Sequence, residues 1–303
     1  MSGFPCSVDD SDAVRESVAR LPIWRGKVNP VPLKGGITNA NFLVEDGGRK
    51  VVVRVGGDNE AHGIVRKSEA AASHAAFLAG VAPQVIYQEP GVLVLSHVEG
   101  RTFAPEDVRN PDHLNRIVEL VRRCHREIPK HLRGPGILFW VFHVVRDYAH
   151  TLRAAPGAHL RQVSRLMDRA DALERAVGPV ELVFGHNDLL AANIIDDGER
   201  LWLIDWEYAG FNSALFDLGG LASNSEMPEV LREELLEAYF ERPVNDDLRR
   251  RFAAMTAASL MRETLWSMVS EIHSKLDFDY AAYAAENLAR FEAAYAAFVA
   301  TEH

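Results

Sequence analysis

The chain has 303 residues, 48% hydrophobic and 25% charged, with a formal charge of −10 at pH 7. That size suits a globular protein with two lobes, and the acidic balance argues against nucleic acid and against an anionic membrane as partners. No apolar run approaches the ~18 residues of a membrane span, and residues 1–12 lack a basic region followed by an apolar core, so neither a transmembrane helix nor a secretory signal is expected.

In chain order, residues 13–21 carry the spacing of a short amphipathic helix. Residues 28–33 read as a strand, and Lys34-Gly35-Gly36-Ile37-Thr38-Asn39 as a glycine turn. Residues 41–45 and 50–55 read as two strands joined by Asp46-Gly47-Gly48. An Ala-rich helix is expected over 65–79, then apolar strands at 85–88 and 92–98 around Glu89-Pro90-Gly91. Residues 1–98 therefore read as a β-rich lobe with one long helix.

After Glu99-Gly100 the pattern turns helical, and 99–303 reads as a second lobe. Leu114, Ile117, Val121, Cys124 and Ile128 recur at three and four residues, as do Leu160, Val163, Leu166, Ala170, Leu173 and Val177. Pro228 opens a further helix, and Asn245 is placed to cap the next. Leu288, Phe291, Tyr295 and Phe298 form one stripe of the last. Cys124 is expected to be a free buried thiol, which fits a reducing cytoplasm. The twelve histidines show no ligand spacing, so no zinc site is expected.

The chemistry concentrates in Phe184-Gly185-His186-Asn187-Asp188-Leu189-Leu190-Ala191-Ala192-Asn193 and the later Leu203-Ile204-Asp205-Trp206-Glu207-Tyr208. Two short apolar runs between them flank Asp197-Gly198, a hairpin signal that returns Asp205 to the side of Asn193. Phosphoryl transfer from a nucleotide needs this set. One carboxylate, Asp188, orients and deprotonates an attacking hydroxyl. An amide oxygen and a second carboxylate, Asn193 and Asp205, hold Mg²⁺ against the phosphates. The interval from Asp188 to Asn193 equals that of the protein-kinase catalytic loop. A chance His-x-Asp is the bland alternative; the ordered arrival of Asn193, the hairpin and Asp205 makes it poor.

With the GGITNANF turn and the VVVRVGG strand, these segments resemble the choline/ethanolamine kinase family, bacterial branch, within the aminoglycoside-phosphotransferase and protein-kinase-like superfamily. The resemblance runs over about residues 28–270. It implies an α+β, protein-kinase-like two-lobe fold: a β-rich N-terminal lobe, a larger helical C-terminal lobe, and ATP and Mg²⁺ between them. It implies transfer to the hydroxyl of choline, ethanolamine or a related small amino alcohol.

The implied roles follow. Gly35, Gly36, Thr38, Asn39 and Asn41 meet the phosphates. Arg54 takes the place of the kinase lysine, with Glu69 as its acid partner; it shares a strand face with Val52, which favours the cleft over solvent. Backbone groups of Ser96 and Val98 read the adenine edge. His186 braces the loop, Asn187 is structural or a substrate-side donor, and Asp217 accepts from the loop backbone. Glu207 is placed on the substrate side, where it would touch a second Mg²⁺ or a bound water, or equally is a surface acid. Tyr208 and Trp266 would offer aromatic faces to a substrate cation, Trp266 equally serving as helix core. After Asp217 the chain has Ser223-Asn224-Ser225-Glu226, where eukaryotic choline kinases place an acid and a tryptophan, which leaves room for ethanolamine or another amino alcohol. An aminoglycoside, sugar or other small-metabolite kinase of the same fold, and a non-catalytic pseudokinase, are the alternatives; the intact Asp188, Asn193 and Asp205 argue against the last.

Overall fold

The run Val51-Val52-Val53-Arg54-Val55 sets the first half of the fold. In a computed structural model, which describes residues 11–33, 39–155, 159–274, 276 and 278–301, it forms most of strand β3 (Arg49–Val55). The described residues of the first half also form helix α1 (Ser11–Ala19), strands β1 (Val31–Leu33) and β2 (Ala40–Asp46), helix α2 (Arg66–Leu78), and strands β4 (Val85–Glu89) and β5 (Val92–Ser96). The five strands make one antiparallel sheet in the order β1-β2-β3-β5-β4. Between β2 and β3 the turn residues Gly47 and Gly48 both have positive φ, 59° and 83°. That is the twist a two-residue hairpin needs, and glycine supplies it without strain.

Strand parity then divides the side chains. Val51, Val53 and Val55 point with Phe42, Val44, Val92 and Val94 into a small core capped by Val14 and Val18 of α1. Arg54 falls on the opposite face, toward α2. Leu93 and Leu95 meet Ala70 of α2 in a third small cluster.

The second half begins with β6 (Arg101–Thr102), α3 (Pro105–Val108) and α4 (Pro111–His131), then α5 (Val141–Ala154) and α6 (Leu160–Val177). Strand β7 (Leu182–Gly185) leads into residues 186–193, followed by β8 (Ile194–Asp196), β9 (Leu201–Leu203) and β10 (Gly210–Ser213). Strands β6, β8 and β9 form a three-stranded sheet, and β7 pairs with β10. Helices α7 (Ala214–Asn224), α8 (Glu229–Phe240), α9 (Asp246–His273) and α10 (Tyr280–Ala300) complete the fold. Helix α9 is the central post, packed against α5, α6, α7 and α10.

Most expected elements are present near their expected bounds. The strand expected at 28–33 is cut to Val31–Leu33, and all three of its residues are exposed. Pro30 and Pro32 cannot donate to a ladder, so this stretch serves only as an edge. Helix α5 was not among the expected elements. Helix α2 also departs from the expected division: Ala72, Ala75 and Ala76 belong to the same buried cluster as α4, α6 and α9, not to the sheet's own core.

Candidate active site

Strand β7 delivers the chain into a turn pinned from below. Asp217, on the first turn of α7, accepts from the backbone N–H of His186 at 2.8 Å and of Asn187 at 2.7 Å. Burial by itself would raise the Asp217 carboxyl, but a 2.9 Å hydrogen bond with His125 and the charges nearby hold it below its ordinary range. Asn187 adopts φ 63° and donates Nδ2 to the carbonyls of Tyr208 (3.0 Å) and Gly210 (3.1 Å), so its role is to tie the loop to β10. His186, fully buried, bonds through Nε2 to the Ile204 carbonyl at 2.9 Å. Gly185 has no alternative: a Cβ there would lie 2.6 Å from Asn187 Oδ1.

This scaffold presents Asp188 toward the cleft. Its side chain is 21% exposed, and burial pushes its carboxyl up to about 8, against the pull of the Arg262 guanidinium at 3.6 Å. A short 3₁₀ turn, Ala191–Asn193, then brings Asn193 back. Asn193 Nδ2 donates to the Asp188 carbonyl at 2.9 Å, which leaves its Oδ1 for another partner. The β8–β9 hairpin returns the chain, and Ile204 N–H donates to the Asn193 carbonyl at 3.0 Å. The next residue, Asp205, stands in left-handed backbone at φ 71°, a strained setting for a non-glycine residue and common at functional sites.

Asp205 Oδ1 accepts from Arg54 at 2.7 Å. Arg54 is held in turn by Glu69 at 3.2 Å and lies 3.7 Å from Glu207. Burial would depress the Arg54 pKa, but the three acids raise it well above normal, so its charge is fixed. For Asp205, burial is outweighed by Arg54, and the carboxyl is held below its usual range. Glu207 is raised, by burial first and by the neighbouring Asp205 charge second. It is 7% exposed and accepts from Arg66 at 3.1 Å and Asn39 at 3.0 Å, so it is a buried network acid, not a surface one. Arg66 also bonds Glu69 at 2.7 Å.

Two arginines and three acids thus meet where the sheet faces the catalytic hairpin. Arg66 was missed in the sequence, because its link to Glu207 spans 141 positions. Among the described residues no cluster of three or more His, Cys, Asp or Glu side chains would hold a metal unaided. Asn193 Oδ1 and the Asp205 carboxylate are two hard oxygen donors on adjoining segments, which suits a cation sharing its shell with phosphates.

Gly35, Gly36 and Thr38 lie outside the described residues. Ser96 needs a correction: its backbone N–H donates to the Gln84 carbonyl at 2.8 Å and its Oγ accepts from Gln84 N–H at 2.9 Å, so that N–H is already engaged within the sheet region. Val98 lies just past the end of β5. The aromatic faces expected of Tyr208 and Trp266 are also taken. Tyr208 is 7% exposed and carries Arg262 over its ring at 4.3 Å. Trp266 is 6% exposed, stacks on His62 at 4.9 Å, and donates Nε1 to Tyr208 Oη. Both are built into the wall behind the site. Arg262 and Glu263, beside Trp266 in α9, instead approach Asp188; an Arg-Glu pair inside an apolar helix was the available signal.

A family model described as choline/ethanolamine kinase matches residues 31–227. The chain belongs to the choline/ethanolamine kinase family. It is a kinase acting on an alcohol group. Mouse ethanolamine kinase 2 is 26% identical over 93% of this chain and 81% of its own. A choline/ethanolamine kinase family protein from Mesorhizobium loti has a crystal structure that matches with a TM-score of 0.76 and 28% identity, over 96% of this chain and 98% of its own. An aminoglycoside phosphotransferase, solved with AMP-PNP and hygromycin B, matches with a TM-score of 0.67 at 16% identity over 93% and 98% of the two chains, and shares the fold. No described helix is long and apolar enough to cross a membrane.

Proposed function

We propose that this kinase transfers the γ-phosphoryl group of ATP to the hydroxyl of a small amino alcohol such as choline or ethanolamine, with Mg²⁺ present. The observation that carries the reading is one continuous bonded path: Asp188 to Asn193, Asn193 to the Asp205 segment, and Asp205 to Arg54. Base, metal donors and phosphate cation then serve one reaction. The AMP-PNP bound by the aminoglycoside phosphotransferase supports a nucleoside triphosphate as donor.

In this reading residues 1–98 bind nucleotide and 99–303 carry the catalytic segment and the acceptor. Arg54, Asn39 and the turn holding Gly35, Gly36 and Thr38 receive phosphate oxygens. Glu69 fixes the Arg54 guanidinium, and Glu207 fixes Arg66 and Asn39. The Ser96 carbonyl and the Val98 backbone take the adenine edge. Asn193 and Asp205 hold Mg²⁺, whose charge offsets that developing on the phosphates. Asp188 accepts the acceptor's proton as the oxygen attacks. Tyr208 and Trp266 support the acceptor pocket from behind rather than caging its cation. The buried thiol of Cys124 suits a cytoplasmic protein.

The test is a panel assay of purified protein with ATP, Mg²⁺ and matched amounts of amino alcohols, sugars and aminoglycosides. Turnover confined to amino alcohols is the expected result. Preference for a sugar or an aminoglycoside would move the acceptor class; ATP binding with no acceptor turned over would mark a pseudokinase.

A further inference from the structure

A second cavity, of about 420 Å³, lies apart from the site described above. Its volume is within the ~300–1,000 Å³ range of small-molecule sites. It opens where α4, the segment between α6 and β7, the start of α7, the end of α8 and the start of α9 meet. Val183, Leu215 and Leu248 give it an apolar wall, with Tyr239 and Phe240 beside them. Its charge is opposite in sign to that of the chain, which carries −10. Arg126, Arg242 and Arg251 line it, against one carboxylate, Glu181.

Little of that positive charge is spent on the protein. Arg126 and Arg242 are exposed, and among the described residues neither has an ion pair. Arg242 lies over the Phe240 ring at 5.9 Å. Arg251 donates Nη2 to the Pro179 carbonyl at 2.5 Å, its Nη1 stands 3.8 Å from Asp247, and its buried Nε has no partner. Like charges gathered around a hollow repel one another, and an anion relieves them. Three guanidinium groups against one carboxylate leave a surplus of two positive charges. A phosphate monoester matches that surplus, since it carries about −1.5 to −2 at pH 7 and its oxygens accept guanidinium forks. The apolar wall suits a hydrocarbon or aromatic body on the ester.

The cavity also meets the Asp188 loop from behind. Tyr239, on its wall, bonds through Oη to His125 Nδ1 at 2.7 Å. His125 Nε2 bonds Asp217 Oδ2 at 2.9 Å, and Asp217 accepts from the N–H groups of His186 and Asn187. The β7–β10 ribbon spans the same distance: Val183 and Ser213 line the cavity, and Gly185 pairs with Gly210 at the end that enters the loop.

We propose that this cavity is a regulatory site for a small phosphate monoester with an apolar body, and that its occupancy is felt at the Asp188 loop through Tyr239, His125 and Asp217. The inference goes beyond the kinase reading and requires no particular acceptor. No covalent step is involved; the ligand binds and leaves unchanged.

The experiment titrates phenyl phosphate into the whole chain by calorimetry, with AMP-PNP and Mg²⁺ saturating so that the nucleotide cleft is filled. Inorganic phosphate and phenol are titrated beside it. Phenyl phosphate should bind at one equivalent, at least ~10-fold tighter than either fragment. The double variant Arg126→Gln, Arg242→Gln changes two exposed side chains and should weaken that binding at least ~10-fold. Hydrogen exchange of the His186 and Asn187 amides reads the link to the loop. It should slow when phenyl phosphate saturates the wild type, and stay unchanged in the double variant at the same concentration. No saturable binding of phenyl phosphate would overturn the proposal. Equal affinity for inorganic phosphate, or an affinity unchanged in the folded double variant, would do the same. Exchange unmoved by bound phenyl phosphate would overturn it as a regulatory site. Neither readout uses turnover, so failure here and failure of the kinase reading are told apart.

Discussion

The Asp188 carboxyl sits between two opposing influences, burial and the Arg262 guanidinium, and burial dominates. Asp188→Asn should lower kcat by ~10²–10⁴-fold while ATP still binds, as measured by steady-state rates beside nucleotide titration. The pKa has a further consequence. The deprotonated form is the one that accepts a proton, so kcat/KM should fall as pH drops through about 8 in the free enzyme. Stability runs the other way. The folded-state pKa lies above the ordinary 3.8, so the folded protein binds this proton more tightly than the unfolded chain. Its contribution to stability is present at low pH and is lost as pH rises toward and through about 8. Asp188→Asn should therefore have a higher Tm than wild type at pH ~9 and lose that advantage in acid; an unchanged Tm difference across the range would refute this sign. With Mg²⁺ held as proposed, Asp205→Ala removes one of the two proposed oxygen donors and one acidic partner of Arg54, so activity titrated against Mg²⁺ should fail to saturate where the wild type does. At this scale the spacing of Asp188, Asn193 and Asp205 and the strand parity of Arg54 were legible, because each depends on neighbours in the chain. Arg66 was not, because its role arises from contacts between segments far apart in sequence; Arg262 left only the trace of an Arg-Glu pair inside an apolar helix.

At the scale of elements, local chemistry was read where it is local. Asn245 caps α9, its Oδ1 accepting from Leu248 N–H at 2.9 Å. Asn245→Ala should cost ~1 kcal/mol, measured by denaturant unfolding, with kcat unchanged. Helix α5 was equally open to reading, since its buried Val141, Phe142, Val145, Tyr148, Ala149 and Leu152 recur at helical spacing. Helix α9 could be started but not followed. From Ala254 to Leu260 every residue is buried, so no polar face marks the period. Its polar members, Thr256, Thr264 and Ser267, hide their hydroxyls by bonding backbone carbonyls four residues back.

On the scale of the whole molecule, two separate cores stand out: a small valine-rich one between the sheet and α1, and a large one around α9. Amides of β2 and β3 should exchange with solvent before those of α9, because fewer buried contacts must break; uniform protection measured by hydrogen exchange would contradict that order. The passage from a sheet to a mostly helical region was legible from the change of pattern near residue 100, but the placement of α2 was not. An Ala-rich helix says little about which neighbour it covers. The segment just after α2 is tied to β9 by the bond from Leu203 N–H to the Val81 carbonyl at 2.7 Å.

That placement of α2 means the point where the sequence changes character is a poor place to cut the chain. A piece ending at residue 98 would carry Ala72, Ala75, Ala76 and Val81 as a bare apolar face, and the remainder would be left with a matching scar on α4. The first piece should be sticky and poorly folded when expressed by itself, and mixing the two should recover solubility if they find each other. Splitting the gene in two is thus less promising here than the pattern of strands and helices suggests.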